Sequence, residues 1–349
     1  MARIHTAHVT QSNDLAVREV ELADPGEGEV RLAVRSVGIC GSDLHWFGKP
    51  DRHAPDKCPG HEIAGIVEAC GPGVRRVREG DRVAVEPLLR CGRCDWCRRG
   101  QYHHCPRGTM IGGGADGGLR EAMLAPEYTL HPSPEGLDPE LAALAEPLAC
   151  SVHAFEMLTL RRRETALVLG AGAIGLLAVL AAKAAGAHVI ATGRHAHQRE
   201  AALRLGADEV LDTGPAAEAR LEELAAERCV DLVAESVGGD ADTVRQAVHV
   251  VRPLGRVAVL GIIWDPPLRI APMELILKEV SVVGSVMYGA PRGVAEIDMA
   301  QELLAERTEQ ARALVTHRFG LDGVSRAFRT ARDKSSGSLK VHVNPHRED

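Results

Sequence analysis

A small all-β domain joined to a doubly wound α/β domain is the fold class this sequence predicts. Three observations carry it. Over residues 3–149, short β-rich pieces alternate with turn segments at the spacing of a small barrel or sandwich. From about Thr165, apolar strand-like runs alternate with helix-length segments, the rhythm of a parallel sheet covered by helices. At 349 residues the chain also exceeds the roughly 250 to 300 at which one hydrophobic core stops growing. The expected division is 1–150 and 291–349 for a discontinuous β-rich domain and 151–290 for the α/β domain.

Taken in order, the β-rich pieces EVRLAVRSVGIC, EIAGIVEAC and DRVAVEP are separated by DPGEGE, CGPG and REGD. The second region begins with the buried strand ALVLG and the long apolar helix IGLLAVLAAKAAG, then the strand HVIAT and the charged helix HQREAALRLG. DLVAESVG and RVAVLG read as later strands, and KEVSVVGSV as a strand near the end of the sheet whose apolar edge invites pairing with another copy. A homodimer or homotetramer is therefore expected. Two helices, AEIDMAQELLAE and VSRAFRTAR, precede a last strand KVHVNP, which needs a sheet to join and finds it in the first domain. The longest apolar run, Ala166 to Ala182, falls just short of the ~18 residues of a membrane helix.

Composition is that of a soluble globular protein, 45% apolar and 26% charged. An aromatic content of 3% argues against stacking on bases, and a net charge of -7 repels phosphate backbones and anionic lipid. Neither nucleic acid nor membrane is expected as a partner; Arg161 to Arg163, the densest basic patch, reads as a solvated loop. The opening residues lack the pattern of a secretory leader, so a cytoplasmic setting is expected. In a reducing compartment, closely spaced members of the nine cysteines mean metal or catalysis.

Cys91, Cys94, Cys97 and Cys105 form C-x2-C-x2-C-x7-C, a spacing that closes a tetrahedron around a structural zinc. Four thiolates leave the site at -2, and Arg90, Arg93, Arg98 and Arg99 lie where they could offset it; the spacing alone leaves iron open. GAGAIG, with Gly170, Gly172 and Gly175 followed through Ala173 and Ile174 into a helix, has the strand-turn-helix context of a dinucleotide pyrophosphate site. An NAD site would carry an acid about 20 residues on, to hold the ribose 2′-hydroxyl. That position holds Gly193, followed by Arg194. Loss of the carboxylate removes repulsion of a 2′-phosphate and Arg194 offers a bidentate partner, assisted by His195 and Arg199, so NADP is expected over NAD. The alternative is a solvated helix-start arginine with NAD bound. Cys58, Cys70, Cys150 and Cys229 read as packing residues, Trp46 and Phe47 as pocket wall or domain cap, and Gly112 to Gly118 as a pocket rim or a long turn.

Cys40 in GICGSDLH, His61 and Glu62 in PGHE, and Glu146 in AEPL each have an ordinary structural reading when taken singly. In that order, with the four-cysteine lobe and GAGAIG after them, they resemble the zinc-dependent medium-chain alcohol dehydrogenase superfamily over nearly the whole chain. The acid at Glu146 is similar to the polyol (sorbitol-type) and threonine dehydrogenase branch; other alcohol dehydrogenases place a cysteine there. The resemblance implies a GroES-like catalytic domain with a Rossmann domain and a catalytic zinc held by Cys40 and His61. Glu62 and Glu146 would supply carboxylate directly or through water, one at a time, since binding both would leave the centre at -1 and weaken it as a Lewis acid. It further implies that Asp43 accepts the other ring N–H of His61, Ser42 hydrogen-bonds the alcohol and His45 passes its proton outward. The implied activity is hydride transfer between a secondary alcohol (polyol, sugar or amino alcohol) or its ketone and NADP or NAD. A simple secondary-alcohol dehydrogenase is the nearest alternative, and a zinc-stapled nucleotide sensor without turnover the one from another class.

Overall fold

In a computed structural model, which describes residues 1–49, 55–262 and 270–348, the chain forms two compact units, Met1–Glu146 with Gly289–Asp349, and Pro147–Tyr288. The first unit opens with an antiparallel hairpin of β1 (Ala2–Val9) and β2 (Leu15–Leu22). There follow β3 (Glu29–Gly38), helix α1 (Gly41–Trp46), β4 (Glu62–Cys70), β5 (Arg82–Val85), β6 (Leu88–Leu89), the one-turn helix α2 (Asp95–Arg98), β7 (Thr109–Met110), β8 (Ala122–Pro126) and β9 (Leu130–Pro132). Helix α3 (Pro139–Ala142) leads to α4 (Ala145–Leu158), whose first residues end this part of the unit.

The second unit alternates β10 (Thr165–Leu169), α5 (Ala173–Ala184), β11 (His188–Thr192), α6 (Ala196–Arg204), β12 (Glu209–Leu211), α7 (Pro215–Glu227), β13 (Leu232–Glu235), α8 (Thr243–Val250), β14 (Arg256–Val259), α9 (Pro272–Lys278) and β15 (Ser281–Gly284). All six strands are parallel, in the order β12-β11-β10-β13-β14-β15, the doubly wound topology. Gly175 to Ala182 of α5 are buried, which is why that helix is apolar all round. β15 is an edge strand, half-buried to exposed along its length.

The chain then returns to the first unit through α10 (Glu296–Glu306), α11 (Thr308–Arg312), β16 (Val315–Phe319), α12 (Val324–Arg332) and β17 (Lys340–Val343). β17 joins the seven-stranded sheet, in which β16-β17-β3-β4-β5-β9 lie side by side and β8 also pairs β3. Sequence reasoning expected β17 to do so; it missed β16, because VTHRF lacks an apolar alternation. The core of the unit comes from Val30, Leu32, Val34 and Val37 of β3 against Ile63, Val67, Val83 and Val85. On α12, Val324, Ala327, Phe328 and Ala331 are buried at helical spacing while the arginines point away from them.

Phe47 is 5% exposed and its ring lies 5.1 Å from that of Phe328, with half-buried Trp46 at 5.7 Å from the same ring. Of the two readings for this pair, the core cap is the one these contacts support. The Gly112 to Gly118 stretch is a turn held by backbone bonds, Gly117 N–H to Cys58 O at 2.7 Å and Gly118 N–H to Gly60 O at 2.9 Å. Among the described residues no helix is long and apolar enough to cross a membrane.

Candidate active site

Within the first unit, Cys40 caps the start of α1 and donates its own N–H to Asp43 Oδ2 at 3.1 Å, which fixes the thiol at the end of β3. His61 and Glu62 enter β4 beside it, Glu62 opposite Gly38 in the register. A Cβ at residue 38 would stand 2.0 Å from Glu62 Oε2, so only glycine leaves room for that carboxylate. One donor atom each from Cys40, His61 and Glu62 lies within 4.8 Å of the others. Glu146, buried at the start of α4, falls outside that triple, although its charge is felt by His61.

The electrostatics are those of a site that calls for a cation. Burial opposes a charged His61, yet Asp43, the Cys40 sulfur and Glu146 together raise its pKa well above the ordinary imidazole value. Burial, with Glu62 and Asp43 nearby, pushes Glu146 up to about 7 against the opposing His61 and Lys340. His61 Nδ1 and Glu62 Oε2 are buried without a hydrogen-bond partner. A thiolate, an imidazole and a carboxylate in one buried cluster are zinc ligands, so these residues fit that metal. One expectation needs correction. Asp43 Oδ1 stands 3.7 Å from His61 Nδ1, too far for a hydrogen bond, because the carboxylate is turned towards the Cys40 N–H.

Lys340, 278 residues from Glu62 in sequence, was not foreseen. From β17 its Nζ donates to Glu62 Oε1 at 2.5 Å and to Ile39 O at 3.1 Å, with the lysine side chain 4% and the glutamate 0% exposed. A cation buried this deeply survives because the carboxylate and carbonyl replace its water. Ser42 and His45 follow Cys40 on α1, both half-buried.

The four-cysteine cluster lies on the segment around α2. Its sulfurs approach to 3.4 Å for Cys94 and Cys97 and 3.9 Å for Cys91–Cys97 and Cys94–Cys105. Backbone N–H groups of Arg93 and Cys94, with the Arg107 guanidinium at 3.1 Å, hold the Cys91 thiol down at about 5, whereas burial and the neighbouring sulfurs push Cys97 up to about 12. Four sulfurs at these distances suit a tetrahedral metal. The arginine assignment changes, however. Arg90 turns to Glu86 and Arg98 pairs with Asp95, while Arg107, not among the four expected, donates to sulfur.

In the second unit a cavity of about 460 Å3 is lined by Gly170, Gly172, Thr192, Arg194, His195 and Asp212, among others. The Gly170 N–H donates to Thr192 Oγ1, and Ser236 Oγ donates to the Leu169 and Gly170 carbonyls, pinning the turn. A Cβ on Gly175 would meet Gly170 O at 1.7 Å, the close helix-strand approach that glycine permits. Ala173 and Ile174 begin α5 beyond the Gly172 cap. Arg194 is exposed at the cavity wall. Arg199 does not assist it as expected: its Nη1 donates to Gly193 O at 3.0 Å and to Asp212 Oδ1 at 2.7 Å, which commits its charge to a carboxylate.

Residues 26–135 match the family model for the alcohol dehydrogenase GroES-like domain, and residues 173–306 that for the zinc-binding dehydrogenase. The chain is 33% identical to a sorbitol dehydrogenase of Halalkalibacterium halodurans, covering 99% of both chains. It is 36% identical to an L-threonine 3-dehydrogenase of Pyrococcus horikoshii over 70% of this chain and 71% of that one. Among solved structures, one from Sinorhizobium meliloti, described as a zinc-binding dehydrogenase bound to NADP, superposes with a TM-score of 0.88 at 31% identity over 99% of this chain and 100% of that one. Galactitol-1-phosphate dehydrogenase of Escherichia coli gives a TM-score of 0.88 at 29% identity, over 98% and 100%.

Proposed function

The chain belongs to the zinc-dependent medium-chain alcohol dehydrogenase superfamily, and from that premise we propose that it oxidises a secondary alcohol of a polyol, sugar or amino alcohol, or reduces the matching ketone, with NADP. The observation that carries this reading is the buried Cys40, His61 and Glu62 cluster, with its orphaned Nδ1 and Oε2. Those three residues would hold the catalytic zinc, with Glu146 as the carboxylate that would take the place of Glu62 in turn, and Cys91, Cys94, Cys97 and Cys105 would hold a structural one. Zinc, when bound, supplies a Lewis acid that draws charge from the substrate oxygen. Lys340 keeps one oxygen of Glu62 engaged and offsets one of the negative charges around the cluster. Asp43 orients the Cys40 backbone and lends its charge to His61. Ser42 would take the proton of the substrate hydroxyl and His45 would pass it outward.

NADP, when bound, supplies the hydride acceptor. The turn from Gly170 to Gly175 would receive its pyrophosphate and Arg194 its 2′-phosphate, with His195 beside it. Gly193 leaves that place without a carboxylate, and Arg199 keeps Asp212 occupied. The same reading sets the protein in a reducing cytoplasm, where its nine cysteines stay thiols or metal ligands. It also makes the protein a homo-oligomer through the β15 edge, near which Met273, Ile276, Leu277 and Val286 are exposed. A monomer by light scattering at micromolar concentration would remove that last part.

Metal analysis together with a panel of polyols, sugars and amino alcohols, followed by the absorbance of the reduced nicotinamide, tests the whole. Two zinc ions per chain and turnover with NADP preferred over NAD are expected. Arg194→Ala should raise the KM for NADP roughly tenfold to a hundredfold with little change in kcat, as loss of one charge-assisted phosphate contact would. A tenfold wild-type preference for NAD would return Arg194 to a solvated helix-start residue. Gly193→Asp is a poor route to NAD here, since its Cβ would stand 2.9 Å from Arg199 Cγ and disturb the Arg199 to Asp212 pair.

A further inference from the structure

The first unit also carries two cavities, of about 340 and 420 Å3, that share Arg318 and Arg347 in their walls and contain none of the donors or cofactor residues described above. Together they are lined by six arginines, Arg35, Arg82, Arg318, Arg326, Arg329 and Arg347, against two carboxylates, Asp138 and Glu140. In a chain of net charge -7 this is a concentration of cations against the average.

Both carboxylates are already taken. Arg312 donates to Asp138 Oδ2 at 2.9 Å, and Arg318 grips Glu140 with both arms of its fork, at 2.6 and 2.7 Å. Arg329 is engaged by Asp14 at 2.6 Å. Among the described residues Arg35, Arg82 and Arg347 meet no carboxylate, and Arg35 Nε is buried without any hydrogen-bond partner. The lining adds no compensating charge at Ser36 and His342, where hydroxyl and imidazole Nδ1 bond to each other at 2.8 Å. Burial, with Lys340 and Arg318 close by, pushes the pKa of that imidazole well below its ordinary value.

Three uncompensated guanidinium groups converging on one region repel each other unless an anion joins them. Planar forks match phosphoryl oxygens in pairs. Two cavities with Arg318 and Arg347 as common wall suit two charged groups on one molecule better than one. We propose that these paired cavities bind a small polyanion carrying two phosphoryl groups, at a site separate from the one that would take the cofactor.

The test is calorimetric titration of inorganic pyrophosphate, and in a parallel arm inorganic phosphate, into the full-length metal-loaded protein at low ionic strength with NADP present. Saturable pyrophosphate binding with a Kd of ~10 to 100 µM, about tenfold tighter than phosphate, is expected, falling as salt rises. Arg82→Glu combined with Arg347→Glu, both at exposed positions, should weaken it at least ~tenfold, whereas Arg194→Ala should leave it unchanged. If the double variant loses its fold by circular dichroism, Arg347→Glu alone carries the test with a weakening of ~threefold. Absence of saturation below ~1 mM, loss of binding in Arg194→Ala, or phosphate binding as tightly as pyrophosphate would overturn the proposal. So would heat that persists in the folded double variant, which marks metal stripping by pyrophosphate.

Discussion

The four-cysteine cluster draws its donors from the fifteen residues Cys91 to Cys105, whereas Cys40, His61 and Glu62 come from the ends of two strands and answer to a lysine near the far end of the chain. The lobe around α2 has almost no apolar interior. α2 buries none of its residues, and Trp96 is 43% exposed. A metal held by its four sulfurs would supply much of its order. The buried cluster is the reverse. Its backbone is fixed by the β3 to β4 ladder, the Cys40 to Asp43 bond and the Lys340 to Glu62 pair before any metal arrives. In one region a bound metal would hold the structure together; in the other the surrounding protein fixes the donors by itself.

The sharpest way to break this comparison is a pair of serine variants. Cys40→Ser should keep its fold, with Tm within a few degrees of wild type, yet lose turnover by about a thousandfold or more and hold one zinc fewer. Cys94→Ser should also lose one zinc, but with Tm lower by ~10 °C. If Cys40→Ser unfolds while Cys94→Ser melts like wild type, the roles assigned to the two regions are exchanged.

A second variant asks how far the buried cluster is held by protein alone. Lys340→Met leaves the Glu62 carboxylate buried without its cation, and breaking such a pair on one side costs about 3 to 5 kcal/mol. Removing both charges, in Lys340→Met with Glu62→Gln, should recover much of that loss of Tm without restoring activity, and Lys340→Arg should be milder than Lys340→Met. Additive losses in the double variant, read by melting of the metal-loaded protein, would mean that the pair is not coupled and that Lys340 only fills space.

What could be read from the sequence follows the same division. The cysteine lobe was legible because all its ligands sit in one short segment, and C-x2-C-x2-C has few other uses. The glycine turn was legible because a strand and a helix flank it. Cys40, His61 and Glu62 were legible only as a resemblance, since no local rule ties residue 40 to residue 61. Lys340 carried no signal, because nothing within KVHV marks it and its partner is on another strand. Arg199 was misjudged for a related reason: Asp212, thirteen residues on, competes for the charge that was assigned to a phosphate. Local chemistry was readable, and so was the return of β17 to the first sheet; side-chain pairing across the fold was not.

The smallest expected effect concerns the seam between the lobe and the sheet of its own unit. Glu86, fully buried, accepts from Tyr102 Oη at 2.5 Å and is paired with Arg90, whose guanidinium lies 3.7 Å from the centre of the Tyr102 ring. His131 Nε2 stands 3.7 Å from the same carboxylate while its Nδ1 donates to Asp298 at 2.7 Å. Burial alone would push Glu86 up, but His131 and Arg90 outweigh it and hold its pKa below the ordinary value; burial likewise opposes a charged His131, but Asp298 and Glu86 raise it. The signs then differ. The depressed glutamate contributes stability above about pH 4.3 and loses it as pH falls further, whereas the raised histidine contributes fully below about pH 6.5 and loses it as pH rises through its folded-state value. Both contributions overlap between about pH 5 and 6.5. His131→Asn should therefore lower Tm by ~3 °C near pH 6, for a loss of about 1 kcal/mol, and by less at pH 9. A gap between wild type and variant that widens with pH would mean that His131 works as a neutral hydrogen-bond donor, and that its part of the seam, unlike the Glu86 to Arg90 pair, is held without charge.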